Sequence, residues 1–191
     1  MSTLDSPSFM EPANVSARPI GIRYGAIAAI IIIAIGLVFH LAGLTSYTQQ
    51  NNPGNWISSI LTWGVMIAAM VMGMKKYREE AGGYMTFGKA FGVGFWASLV
   101  LAVITAVWTY VFFALVEPGL TDTILEATRE NMLAQGQSED QVDQAMQYTE
   151  PFMNPGMFSL FGGLGTLITG LIIALIAAAV TQRKPPVQTI A

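Results

Sequence analysis

The stretch IGIRYGAIAAIIIIAIGLVFHLAGL, residues 20–44, decides the fold of this chain. After Arg23 it contains no ionisable residue other than Tyr24 and His40. A helix rises about 1.5 Å per residue, so about 20 apolar residues suffice to cross the hydrocarbon core of a bilayer. The isoleucines would favour a strand in water, but a single strand in lipid would leave its backbone groups unpaired. The stretch therefore predicts a membrane-spanning helix, clearest from Tyr24 onward.

Three further apolar runs have the length of a membrane span. They occupy residues 56–74, 87–116 and 157–181. The composition agrees with this interpretation, since 53% of the residues are apolar and only 11% are charged, whereas soluble domains are about 25% charged. The four runs predict an all-α, polytopic membrane protein whose four-helix transmembrane domain covers residues 20–184.

The basic residues divide unequally between the two sides that four spans define. One side holds eight of the nine lysines and arginines, and the other side holds only Arg129. Because basic residues are retained in the cytoplasm, the basic side is predicted to be the inner one. Both termini are then cytoplasmic, as a disordered tail of residues 1–19 and a short tail of residues 185–191. The eight inner residues are Arg18, Arg23, Lys75, Lys76, Arg78, Lys89, Arg183 and Lys184.

The outer loop between spans three and four, residues 117–156, is long and acidic. It carries eight carboxylates and one arginine. Thr123 followed by Glu126 and Ser138 followed by Gln141 have the spacing of helix capping boxes. Gly136 lies where a glycine ends a helix, and Pro151 lies where a proline stops one. The loop is therefore predicted to form a short amphipathic helical hairpin outside the membrane.

The carboxylates of this loop are candidates for attracting cations. Oxygen-rich clusters suit Ca²⁺, but the segment has no histidine and lacks the spacing of a calcium-binding loop. Acidic residues also favour the first turn of a helix. A solvated acidic face is the alternative interpretation, and no metal site or cofactor is predicted. The candidate residues are Asp122, Glu126, Glu130, Glu139, Asp140 and Asp143.

Small residues recur within the spans and predict close helix packing. In span four they repeat at intervals of four, as Gly162, Thr166, Gly170 and Ala174. Such rows let helix backbones approach each other closely in lipid. His40 is an isolated ionisable residue near the end of span one, and it would act either as a proton relay or as a hydrogen-bonding partner of a neighbouring helix.

The stretch GGYMTFGKAFGVGF, residues 82–95, has the G-x-x-x-x-G-K spacing of a phosphate-binding loop. Ala90 stands where the magnesium-binding hydroxyl is required, and a charged helix end precedes the stretch where the motif needs a strand. Nucleotide binding is therefore not predicted. The stretch is instead interpreted as an elbow on the inner face. Gly82 and Gly83 end span two. The basic residues in this stretch and just before it are interpreted as anchoring the elbow to lipid. They are Lys75, Lys76, Arg78 and Lys89.

Two stretches resemble a known family. KKYREEAGGYMTFGKAFGVGF, residues 75–95, and ENMLAQGQSEDQVDQAMQ, residues 130–147, are similar to the bacterial membrane family called domain of unknown function 4199, common in Bacteroidota. The similarity covers roughly residues 20–184, including the order of spans and the long charged loop. The resemblance implies a multi-pass protein of the bacterial inner (plasma) membrane. It implies no activity, substrate or catalytic residue.

These observations favour a non-enzymatic structural, interaction or accessory protein of the membrane. Its expected partners are the lipid bilayer and either further copies of itself or another membrane protein; the net charge of −3 argues against nucleic acid. The alternative is a small oligomeric transporter or channel for a cation or small solute. An enzyme acting on lipid would need the inner polar group of Glu79, Glu80, Tyr84 and Lys89, and is the least favoured hypothesis.

Overall fold

The computed structural model describes residues 15–49 and 51–183 of the 191-residue chain. These residues form six α-helices and no β-strand, and four of the helices are long and apolar enough to cross a membrane. The predicted all-α, polytopic membrane fold is thereby confirmed. The helices are α1 (Ala17–Leu41), α2 (Pro53–Glu80), α3 (Phe87–Val111), α4 (Leu120–Ala134), α5 (Glu139–Thr149) and α6 (Pro155–Thr181). A π-helical turn, Phe112–Val116, extends α3, and a 3₁₀ turn, Glu150–Phe152, follows α5.

The first spanning helix is displaced toward the N-terminus relative to the prediction. It begins at Ala17 rather than at residue 20. Pro19 is tolerated there because N–H groups in the first turn of a helix have no helical partner, so the missing N–H of proline costs no hydrogen bond. It ends at Leu41 rather than at residue 44. Gly43 adopts a left-handed conformation with φ of 67°, and the Leu44 N–H donates to the Phe39 carbonyl, which closes the helix end. Residues 1–14 and the predicted tail of residues 185–191 lie outside the described residues.

The second spanning helix is longer than its apolar run at both ends. The Asn52 side chain accepts hydrogen bonds from the N–H groups of Gly54 and Asn55, so α2 begins at Pro53. The helix continues to Glu80, since the charged residues that follow residue 74 end the apolar run without breaking the helix. Gly82 and Gly83 then take φ values of 76° and 92°. These left-handed conformations suit glycine and turn the chain into α3.

The acidic loop contains two helices, but one of its two predicted capping boxes is wrong. α4 begins at Leu120, after the Pro118–Gly119 turn, so Thr123 already lies within its first turn and its hydroxyl donates to the Gly119 carbonyl. The box at Ser138 and Gln141 is present, with both reciprocal hydrogen bonds formed. Gly136, with φ of 86°, follows the end of α4.

The third spanning helix is central to the bundle, and small residues place it against α1 and α6. A Cβ added to Gly21 would lie 2.5 Å from the Val93 carbonyl oxygen, so α1 and α3 are in backbone contact. On the other side, a Cβ at Gly94 would lie 2.5 Å from the Ala174 Cβ, and one at Gly170 would lie 2.7 Å from Ser98 Oγ. In lipid, where apolar surface gains little by meeting other apolar surface, such close approach supplies much of the packing energy.

The row of small residues on α6 is rotated relative to the interval-of-four row that the sequence suggests. Gly170 and Ala174 are buried at the α3 contact, Thr166 is half-buried, and Gly162 is exposed. Gly163 occupies the contact instead, with an added Cβ 2.8 Å from the Ala106 Cβ. At 3.6 residues per turn, Gly163 lies about 20° around the helix from Ala174 and Gly162 about 120°. A row of residues spaced four apart therefore turns away from the face that packs against α3 within three repeats.

The two ends of the bundle differ in composition and in packing. We call the end that carries the α2–α3 elbow the basic end and the end that carries α4 and α5 the acidic end. Buried residues of α1, α2 and α3 lie in or next to the half nearer the basic end, Phe112 excepted. At the basic end, Met85 and Arg183 exchange two backbone hydrogen bonds of 2.8 and 2.9 Å, which tie the elbow to the end of α6.

Candidate functional site

The connection between α1 and α2 folds back onto the start of α2 at the acidic end. Asn55 Nδ2 donates to the Ser46 carbonyl at 2.6 Å, and the Ser46 N–H donates to Asn55 Oδ1 at 3.1 Å. The backbone passes so close to Gly54 that an added Cβ would overlap the Leu44 carbonyl. These hydrogen bonds hold the polar α1–α2 loop against the first turn of α2.

The only histidine of the chain lies beside this loop. The His40 Nε2 is 3.2 Å from the Oε1 of Glu117. Glu117 is the first residue after the π-helical turn. The His40 ring packs edge-on against Phe112 with centroids 5.0 Å apart, and it contacts Tyr47 at 6.0 Å. The structure therefore gives His40 a hydrogen-bonding partner at a neighbouring helix end. Short π-helical turns frequently occur at functional sites.

Five aromatic rings form a continuous cluster next to this pair. Phe112 lies 6.1 Å from both Trp108 and Tyr47 and 5.7 Å from Phe113, measured between ring centroids. Phe113 in turn stacks on Phe158 of α6 at 4.8 Å. The cluster therefore joins the α1–α2 loop, the end of α3 and the start of α6.

A cavity of about 350 Å³ lies between the cluster, the α1–α2 loop and the first turns of α2. Its lining combines aromatic rings with hydroxyl and amide groups, and none of its lining residues is an acid or a base at neutral pH. The Thr45 Oγ1 is buried and makes no hydrogen bond of good geometry. The lining residues are Gly36, Leu37, Thr45, Ser46, Tyr47, Asn55, Ser58, Ser59, Trp108, Thr109, Phe112 and Phe113.

The Tyr47 hydroxyl is the titratable group of this lining. Partial burial raises the pKa of Tyr47, the nearby Thr45 hydroxyl lowers it, and the negative charge of Glu117 raises it. The net direction is upward, so the phenol is protonated and neutral at pH 7. The cavity wall thus presents polar groups and aromatic rings rather than fixed charge.

The six acidic residues singled out in the sequence are all exposed on α4 and α5. Asp143 pairs with Arg129 at 2.6 Å, which links the two helices. Among residues 15–49 and 51–183, no three acidic or histidine side chains are grouped so that they would hold a metal ion. The remaining five, Asp122, Glu126, Glu130, Glu139 and Asp140, form an acidic surface rather than a ligand cage.

The elbow residues predicted to contact lipid lie together at the basic end. Lys75, Lys76 and Lys89 are exposed, and Arg78 is half-buried. Lys76 is 3.6 Å from Glu80, one helical turn away. Gly82 and Gly83 are exposed at the turn itself. The elbow is therefore a charged turn at Gly82 and Gly83 that connects the end of α2 to the start of α3.

The cavity at the acidic end was not predicted from the sequence. Its residues are uncharged and come from four separate segments, so no local pattern brings them together. One signal was available, since Ser58, Ser59 and Thr109 place hydroxyls in the outer turns of two predicted spans. Polar groups at that depth require partners.

A comparison with models of protein families assigns the chain to a family. The model of a family described as "Protein of unknown function (DUF4199)" matches residues 23–183, which include the elbow, both helices of the acidic loop and the cavity. No match was found among curated proteins or among solved structures. The match agrees with the resemblance seen in the elbow and in the acidic loop. This chain therefore belongs to the DUF4199 family.

Proposed function

We propose that this protein is a non-enzymatic component of the bacterial inner membrane that works by binding another protein at its acidic end. The observation that supports this proposal is the charge of the exposed surface of α4 and α5, which we call the acidic layer. Six of the eight carboxylates of residues 117–156 are exposed there, whereas only Thr121 and Val142 of the two helices are buried. Such a layer contributes little to the bundle and leaves its surface free for a partner.

The chemistry of the layer defines the partner. Apolar side chains, Leu133 at 38% exposure and Tyr148 at 71%, lie among the carboxylates. Aromatic and apolar anchors surrounded by charge suit a protein interface. Two acidic layers would repel each other, so a partner with a basic surface fits better than a second copy at this site. Self-association would instead use the faces of the spanning helices.

The orientation of the protein follows from its charge. Both termini would be cytoplasmic and the acidic layer external, with the elbow lysines against the anionic inner leaflet.

Photocrosslinking in native membranes tests the partner. A photoreactive phenylalanine analogue at Tyr148 should give a discrete adduct with a second protein, while the same probe at Ile172, exposed within α6, should label lipid. Neutralising Asp122, Glu126 and Glu130 to the amides should weaken the adduct, whereas neutralising Glu79 and Glu80 at the basic end should not. Recovery of lipid and self-adducts alone from Tyr148 would contradict the proposal.

Single-cysteine labelling tests the orientation, because the natural chain has no cysteine. In intact spheroplasts, a membrane-impermeant maleimide should label a cysteine at Gln137, between α4 and α5, and should not label one at Tyr84, which is exposed in the elbow. Permeabilised cells should label both positions. Labelling of Tyr84→Cys alone in intact cells would invert the proposed orientation.

A further inference from the structure

We propose that the cavity at the acidic end binds a small organic cation of the ammonium type. Three features of the site carry this inference: its size, the aromatic rings on its wall and the sign of the charge around it. It concerns a site separate from the partner-binding surface of the acidic layer, so either proposal can fail without the other.

The size of the cavity limits the ligand. A volume of about 350 Å³ lies at the lower end of the range for ligand pockets, about 300–1,000 Å³. The buried residues of α1, α2 and α3 lie toward the basic end, apart from Phe112. The cavity therefore lies in the less buried half of the bundle, and its volume suits a small molecule.

The aromatic wall favours a cation. Tyr47, Trp108, Phe112 and Phe113 contribute adjacent rings to the lining, with neighbouring centroids 5.7–6.1 Å apart. An ammonium group over the face of Trp, Tyr or Phe is attracted by the ring quadrupole. A carboxylate or phosphate would find no positively charged group among the residues that line the cavity.

The charge around the cavity acts in the same direction. Glu117 is close enough to Tyr47 to raise its pKa, and the other acids of residues 117–156 extend the negative field. Arg129, the basic residue of that segment, is paired with Asp143. The field therefore concentrates cations at the opening and repels anions.

The polar lining specifies a hydroxyl or N–H on the ligand. The Thr45 Oγ1 is buried without a well-formed hydrogen bond, and a buried hydroxyl in that state gains by meeting a partner. Thr109 also lines the cavity. Choline, which combines a quaternary ammonium with a hydroxyl, is therefore a suitable probe.

The test measures choline binding to the full chain by calorimetry in nanodiscs of phosphatidylglycerol, a lipid without an ammonium group. We expect saturable binding of choline, and binding about tenfold weaker for its neutral isostere 3,3-dimethylbutan-1-ol, the difference a cation–π contact contributes. Equal affinity of the two probes would overturn the proposal, as would the absence of saturable binding.

Two glycines provide a matched pair of variants. A Cβ at Gly36, which lines the cavity, meets nothing within 4 Å, so Gly36→Leu would fill the cavity without a backbone clash. Gly64 of α2 is equally open and does not line the cavity, so Gly64→Leu is the control. Choline binding should be lost in G36L and kept in G64L, with both variants unfolding at the parental temperature. Binding kept by a folded G36L would overturn the assignment of the site.

A final arm identifies the source of the ammonium. Repeating the choline titration in nanodiscs that contain phosphatidylcholine asks whether a lipid headgroup occupies the same site. Weaker apparent choline binding there supports a cavity that takes headgroups, and unchanged binding supports one that takes soluble amines.

Discussion

The contact between Gly94 and Ala174 gives a stability prediction that the structure makes quantitative. In Gly94→Ala the new Cβ would lie 2.5 Å from the Ala174 Cβ, 3.2 Å from its Cα and 3.1 Å from the Met74 methyl. Carbon atoms rest at about 3.5–4.0 Å from each other. The Met74 methyl can rotate away, but the Ala174 methyl is fixed to the backbone. The helices α3 and α6 must therefore separate by about 1 Å.

The expected cost follows from two opposing effects. Overpacking of this kind costs about 1–3 kcal/mol, and replacing a helical glycine by alanine returns roughly 0.5–1 kcal/mol. We expect Gly94→Ala to lower the free energy of unfolding by about 1–2 kcal/mol. Gly92→Ala is the control in the same helix, because its Cβ would meet only the Ala17 methyl at 3.4 Å. It should be neutral or slightly stabilising.

The assay is reversible unfolding in mixed micelles with an increasing fraction of dodecyl sulfate, followed by circular dichroism. The double variant Gly94→Ala, Ala174→Gly removes the opposing methyl and should recover most of the loss. If Gly94→Ala were as stable as Gly92→Ala, or if the double variant recovered nothing, the close approach of α3 and α6 would not exist and the reasoning would fail.

Three further predictions concern helix ends and the acidic layer. Asn52→Ala should destabilise the protein by about 1 kcal/mol, seen in the same unfolding assay, because α2 loses two capping hydrogen bonds. Ser138→Ala should speed amide exchange at the start of α5, whereas Thr123→Ala should leave exchange at the start of α4 nearly unchanged; equal effects would contradict the capping assignment. Arg129→Ala should cost less than about 1 kcal/mol, and the cost should vanish in 1 M salt, since both members of its pair with Asp143 are about half exposed.

The positions of the spans were predictable because they depend on one local quantity. An apolar run either is or is not long enough to cross a bilayer. Three of the four predicted runs lie wholly in spanning helices, and the first does so over residues 20–41. The helix ends were less predictable, because several local signals compete there. At α4 the turn at Gly119 starts the helix before Thr123 can cap it, and at α2 the charged residues up to Glu80 continue the helix beyond the apolar run.

Features that depend on two helices at once were the hardest to predict. Choosing Gly163 over Gly162 requires the rotation of α6 relative to α3, which a row of small residues does not fix. The pairing of His40 with Glu117, 77 residues apart, requires the ends of α1 and α3 to lie side by side. The cavity requires the path of the α1–α2 loop, which is set by the hydrogen bonds of Asn55.

The asymmetry between the two ends bears on how binding would affect the protein. In lipid, helices are held together by close packing and polar contacts rather than by the hydrophobic effect. Close contacts at Gly21, Gly94 and Gly170 and the Met85–Arg183 bridge lie in the half toward the basic end. The half toward the acidic end has fewer such contacts, chiefly that of Gly163 with Ala106, and is otherwise held by aromatic rings and loop hydrogen bonds. The helices can therefore separate at the acidic end at the least cost in packing energy. A ligand in the cavity or a partner on the acidic layer would adjust that end while the basic end stays closed.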